Sequence, residues 1–153
     1  MMGNINIHTT KLDVLALILA RGGSKSVPRK NIIEINGKPL ISYTIKQALA
    51  SNLITRTIVS TDDEEIARIS KTWGAEIPFM RPSAIARDDS IDIEAFIHCL
   101  DWLKQNENYE PELVVHLRAT GPVRRIEVID RAIEKMANTP DADSLRTVVM
   151  SKQ

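Results

Sequence analysis

The chain is poor in the features that mark secreted, membrane-spanning or nucleic-acid-binding proteins. It holds one cysteine, Cys99, among 153 residues. Neither an intrachain disulfide framework nor a cysteine-based zinc cluster is available to it, as expected of a protein from a reducing cytoplasm. It has no long apolar run: the longest, Val14 to Ala20, falls far short of the ~20 residues that a transmembrane helix needs. Met1 to Asp13 lacks the charged start and apolar middle of a signal peptide. Residues 1–12 read as a flexible polar leader and 13–153 as one domain. Net charge is also missing, since 20 basic side chains balance 20 acidic ones. No global field therefore draws nucleic acid or an acidic membrane surface, and any anion site has to be local. Low-complexity tracts, internal repeats and dividing linkers are absent.

What is present is alternation. Val14 to Ala20 is almost continuously apolar, as a strand covered on both faces requires. A polar, glycine-containing loop follows from Arg21 to Asn31. Asn36-Gly37, between apolar positions, signals a tight hairpin turn, after which Ile41, Ile45, Ala48 and Leu49 recur at helical spacing. Thr57-Ile58-Val59 reads as a second strand. Thr61 and Glu64 read as a capping box opening a helix with the stripe Ile66, Ile69 and Trp73, which Gly74 can end. Ile77 to Met80 reads as a further strand, and Ile93, Phe96, Ile97, Leu100 and Leu103 as the apolar face of a long helix. Leu113 to Leu117 is a buried-strand run. Ile126, Ile129, Ile133 and Met136 mark the last helix, and Leu145 to Val149 a last strand. Strands alternating with helices predict an α/β fold, Rossmann-like in three layers, with a mainly parallel sheet and helices on both faces. In such sheets ligands sit beyond the carboxyl ends of the strands, where the Arg21–Asn31 loop lies.

That loop concentrates four cations, Arg21, Lys25, Arg29 and Lys30, around Gly22 and Gly23. Glycines let backbone amides approach an anion, Ser24 adds a hydroxyl, and the cations can neutralise a triphosphate. The spacing is not that of a Walker A loop or a dinucleotide fingerprint. No histidine lies near Ser24 in sequence, which argues against a covalent nucleophile there. Asp62-Asp63 and Asp88-Asp89 each admit two readings, metal ligands or helix caps. His98 and Cys99, adjacent on a helix, point apart and read as packing residues. His116 reads as a hydrogen-bonded core histidine, and Trp73 and Trp102 as core.

The run Leu19 to Lys25 continued through Pro28-Arg29-Lys30-Asn31 resembles the signature loop of the acylneuraminate cytidylyltransferases (CMP-sialate synthetases). Asn36-Gly37-Lys38-Pro39-Leu40, Ile58 to Asp62, Arg81-Pro82 with Asp88, and Leu117 to Arg124 are similar to that family's later blocks. Together they cover nearly the whole chain, from about Val14 to Val149. The resemblance implies transfer of CMP from CTP to the anomeric hydroxyl of an N-acylneuraminate or a related nine-carbon keto-sugar acid. Pyrophosphate would leave, with Mg2+ as cofactor. It implies that Arg21, Ser24, Lys25 and Lys30 hold the triphosphate, Arg21, Lys25 and Lys30 acting catalytically. Gly22 and Gly23, after Ala20, would admit the nucleotide with Asn31 beside them, and Arg81 and Asp92 would face the nucleoside. Arg118, Thr120 and Arg124 fall on the acceptor side.

Arg118 stands where the family usually has glutamine. That implies a bidentate clamp on a sugar carboxylate, a different nine-carbon acid, or a site that no longer holds an acceptor. The family's metal-binding aspartates and dimer arm are expected beyond Gln153. A catalytically inactive nucleotide-binding remnant, or a nucleotidyltransferase for another nucleotide or sugar, would keep the same loop. The partners expected are CTP and a sialic-type sugar acid, with a second copy of the chain as a further candidate, and neither nucleic acid nor membrane.

Overall fold

The computed structural model describes residues 12–23 and 27–148. Among the described residues five strands run in chain order: β1 (Val14–Leu19), β2 (Glu34–Ile35), β3 (Lys38–Pro39), β4 (Arg56–Ser60) and β5 (Leu113–His116). The helices are α1 (Leu40–Leu49), α2 (Glu64–Thr72), α3 (Asp92–Glu107) and α4 (Ile126–Ala137), with short 3-10 turns at Lys30–Ile32 and Ser83–Ile85. The main sheet has the order β4-β1-β5, and both pairings are parallel. β2 and β3 form a separate antiparallel hairpin. Its turn uses Asn36 and Gly37 at φ 50° and 71°, the left-handed pair that a two-residue hairpin requires.

The period of two along β1 divides the core. Val14, Ala16, Ile18 and Ala20 face α1, α2 and α4, meeting Ile41, Ile45, Ala48, Ile66, Ile129 and Ile133. Leu15 and Leu17 face the opposite way and pack with Ile58, Phe79, Cys99 and Leu103 against α3. This makes the three layers expected from the alternation. Each fully buried Leu or Ile contributes about 1.5–3 kcal/mol of hydrophobic stabilisation, enough to explain why no polar residue interrupts β1. The chain goes outward from β1 to β4, then returns to place β5 on the other side of β1. The sheet's switch point therefore lies between β1 and β5. Among the described residues no helix is long and apolar enough to cross a membrane.

Several local expectations are corrected. Residues 77–80 are not a strand: Glu76 makes one parallel bridge to Ile58, and Pro78 then withholds the next backbone donor. Residues 145–148 carry no strand either; Leu145 and Thr147 lie along α4, and Val149 is outside the described residues. The buried stripe of α3 is Ala95, Cys99 and Leu103, while Ile93 and Ile97 are 54% and 53% exposed. Of the expected stripe, Leu103 is buried and Phe96 and Leu100 pack against the same core, so the periodicity finds part of the covered face; the small Ala95 and Cys99 let the helix approach the sheet. Leu49, in the last turn of α1, is rotated off the buried face. Leu12, the end of the expected leader, packs against the core, and residues 1–11 are outside the described set.

Candidate functional site

A cleft of about 350 Å³ opens at the carboxyl ends of β1 and β5, on the switch point. Three segments build it: the loop after β1, the stretch from Arg81 to the start of α3, and the end of β5 with the turn that follows. Its walls hold five cations, Arg21, Lys30, Arg81, Arg87 and Arg118, against two carboxylates, Asp88 and Asp92. A chain without net charge thus carries a local anion-attracting concavity.

The loop after β1 is braced from several sides. Asn31 is buried, and its amide Nδ2 donates to the Arg21 carbonyl at 3.0 Å, tying the start of the loop to its end. Lys30 opens a 3-10 turn and reaches the cleft beside Gly23. Arg21 crosses the cleft to Asp88 at 2.8 Å. Gly22 differs from its expected role. Its amide donates to Asp62 Oδ1 at 3.0 Å, so it is not open to a ligand. A Cβ on it would stand 2.6 Å from Asp63 Oδ2, so the packing against Asp63 demands glycine there. Gly23 has nothing within 4 Å of an added Cβ and borders the cleft. Ala20 is buried and extends the sheet, its amide donating to Ser60 O at 3.0 Å; it does not line the cleft. Ser24 and Lys25 lie outside the described residues.

Arg29 is turned away from the cleft. Its backbone is left-handed at φ 55°, and its guanidinium donates to Asp63 at 2.5 and 3.2 Å and to Glu65. The hydrogen bonds it donates to Asp63, ahead of the opposing charges of Asp63 and Glu65, hold this guanidinium above its ordinary pKa. Asp63, not Thr61, is the N-cap of α2, accepting from Ile66 N at 2.9 Å. The Thr61 hydroxyl instead accepts from the Asp63 amide, which corrects the capping box. Asp62 does not cap; it serves the loop.

Arg81 is the least exposed cation described, at 7%. Its backbone amide donates to Thr61 O at 2.8 Å, setting it beside the end of β4. Among the described residues, Nε and Nη2 meet no hydrogen-bond acceptor, and Asp62 Oδ1 stands 4.0 Å from Nη2. Burial pushes its pKa down, partly offset by the charges of Asp62 and Asp92. A buried guanidinium left unpaired costs free energy. Its position in the cleft wall makes a bound acceptor the natural completion.

On the far wall, Asp92 is the first residue of α3 and borders the cleft. Neither Asp88 nor Asp89 caps that helix, whose N-cap is Ile91; Asp88 pairs with Arg21, and Asp89 with Arg87 at 3.5 Å. Arg118 and Thr120 are exposed in the cleft wall. Arg124 is not part of that wall. It donates to Gln47 Oε1 at 2.9 Å, and its Nη2 lies 2.5 Å from where a Cβ on Gly121 would stand. His116 is a cleft residue that the sequence reading places in the core. It ends β5, borders the cleft and meets the Phe96 ring edge-on at 5.1 Å. Burial lowers its pKa, the Asp92 charge opposing and Arg118 and Arg124 adding to the shift. The available signal was position, since the last residue of a strand at a switch point faces the ligand side. His98 does pack, edge-on to Phe79 at 4.8 Å, as expected. Trp73 and Trp102 join the two core clusters. No three of His, Cys, Asp and Glu converge as a metal cage among the described residues.

A family model described as "Cytidylyltransferase" matches residues 15–153. The pseudaminic acid cytidylyltransferase of Campylobacter jejuni is 40% identical over 121 residues, covering 79% of this chain and 52% of that protein. N-acylneuraminate cytidylyltransferase A of Danio rerio is 35% identical over 136 residues, covering 89% of this chain and 30% of that protein. The chain thus spans about half the length of the first relative and less of the second. A solved structure of CMP:2-keto-3-deoxy-manno-octonic acid synthetase complexed with CTP shares the fold. Its TM-score is 0.70 at 21% identity, with 84% of this chain and 48% of that one covered.

Proposed function

The chain belongs to the cytidylyltransferase family, and on that premise we propose that its cleft binds CTP and serves transfer of CMP to the anomeric hydroxyl of a nine-carbon keto-sugar acid. The observation that carries the reading is Arg81, buried in the cleft wall with Nε and Nη2 unpaired among the described residues. On this reading the nucleotide supplies its missing acceptors. Lys30, Arg21 and the Gly23 backbone face the same space; they would hold the phosphates. As the sugar oxygen attacks the α-phosphorus, charge grows on the departing pyrophosphate, and fixed cations stabilise that charge more than the ground state. Losing one such donor typically costs about a hundredfold in rate. Arg118 and Thr120, on the β5 side, would meet the acceptor acid, a pseudaminate, legionaminate or neuraminate type.

Magnesium belongs to this proposal as the cofactor of the full reaction. The described residues do not form a cage for it, so no ligand is assigned and no step is routed through it. A cytoplasmic location and homodimeric assembly belong to the same proposal. The alternative that the same loop also allows is a module that binds CTP without turning it over. Calorimetric titration with CTP, ATP, GTP and UTP tests the nucleotide, and pyrophosphate release with each of the three acids tests the transfer. Preference for CTP with release supports the first reading, preference without release the second. Equal affinity for all four nucleotides rejects the cytidylyl assignment.

A further inference from the structure

The structure assigns Arg29 and Asp63 as positioning residues: we infer that they form a clasp that holds the nucleotide loop in its binding shape without touching the ligand. The inference rests on the CTP reading of the cleft and deepens it. Three observations meet at Asp63. Its carboxylate caps α2 through Ile66 N at 2.9 Å, so it is fixed to the start of a helix. It receives both Nη groups of Arg29 at 2.5 and 3.2 Å, the fork geometry in which an ion pair is strongest. It also abuts Gly22 so closely that no side chain fits there, while its neighbour Asp62 takes the Gly22 amide at 3.0 Å.

Gly22 and Arg29 are therefore both held at the residues that open α2, Gly22 through Asp62 and Arg29 through Asp63. Arg29 holds a left-handed backbone that a non-glycine residue adopts only when its surroundings impose it. The 3-10 turn that presents Lys30 and Asn31 begins at the next residue, and Ile32 and Ile33 both donate to the Arg29 carbonyl, at 2.9 and 3.1 Å. Releasing Arg29 frees the residue from which that turn springs. Exposed ion pairs usually contribute little. This one differs because it is bidentate, is joined by Glu65, and closes a loop whose shape the cleft needs.

The test uses two variants that keep the fold. Arg29→Ala removes the fork. Asp63→Asn keeps the cap acceptor and the shape against Gly22 but loses the charge. Each is expected to weaken CTP binding by about fivefold to tenfold. The double variant should be no weaker than the worse single, as one shared interaction demands, and Arg29→Lys should recover part of the loss. The dependence of CTP affinity on salt should keep the wild-type slope in Arg29→Ala, because no ligand charge is lost, and flatten in Arg21→Ala. Amide exchange at Gly22 should quicken in both clasp variants without nucleotide. Wild-type CTP affinity with wild-type Gly22 exchange in both variants would overturn the clasp, and so would a flattened salt slope in Arg29→Ala. A wild-type chain that binds no CTP at all overturns the reading beneath it instead, while Gly22 exchange still reports on the clasp.

Discussion

Arg21 and Asp88 join across the mouth of the cleft at 2.8 Å, a carboxylate against a cation of the cleft wall. On the proposed CTP reading, an entering triphosphate has to displace that carboxylate. Asp88→Asn is accordingly expected to tighten CTP binding by about threefold, and Arg21→Ala to weaken it by about tenfold or more, a ratio read directly by calorimetry. Weaker binding in Asp88→Asn would mean that the pair serves the ligand rather than competing with it.

Arg81 sets stability against function. Its guanidinium is desolvated and, among the described residues, incompletely paired, so an apolar side chain of similar length removes a penalty. Arg81→Met should leave the unfolding free energy unchanged or raise it by about 1–2 kcal/mol, while CTP affinity falls at least about tenfold. A destabilised variant with intact CTP affinity would refute this.

The two loop glycines should respond differently to alanine. Gly22→Ala drives a methyl into Asp63, which Arg29 and the Ile66 amide keep from moving. It is expected to destabilise the fold by about 1–3 kcal/mol in chemical denaturation. Gly23→Ala meets open space and should change stability by less than about 0.5 kcal/mol, its effect appearing only in nucleotide affinity.

Acid should loosen the fold through two imidazoles. Burial holds His98 and His116 below the ordinary histidine value. The unfolded chain therefore takes up protons at a pH where the folded chain does not, and stability falls as pH drops through the region near 6.5. The melting midpoint should decrease between about pH 7 and pH 5, and His98→Asn and His116→Asn should each flatten that slope. Asp63, held below the usual carboxylate range, acts in the same direction at lower pH, its contribution lost as pH falls through the folded value.

Cys99 is fully buried in α3, and burial pushes its thiol up to about 12. It should resist iodoacetamide in the native protein and react fully once denaturant unfolds the chain. Rapid native labelling would show that α3 opens from the sheet.

Much of the architecture is legible in the sequence because its signals are local. The unbroken apolar run of β1, the Asn36-Gly37 turn and the α4 periodicity each have one low-energy solution. The cleft is legible for a related reason, since a cation-rich glycine loop after the first buried strand can only sit at the sheet's carboxyl edge. What escapes the sequence is set by distant partners. Gly22 looks like an anion contact until Asp62 and Asp63 arrive from 40 residues downstream. Arg124 looks like a cleft residue until Gln47 of α1 takes it, and His116 looks like core until the strand order places it at the switch point. In α3, apolar residues on both sides of the helix hide which side the sheet will cover.

The turn after β5 is fastened to α1 through its main chain. Thr44 donates to the Arg118 carbonyl at 3.1 Å, and Gln47 Nε2 donates to the Pro122 carbonyl at 2.8 Å. Neither anchor reads which side chain occupies positions 118 and 120. Those two exposed positions can therefore be rewritten while the turn keeps its path; on the proposed reading, selectivity among acids can then diverge between descendants of one scaffold without reinventing the nucleotide grip.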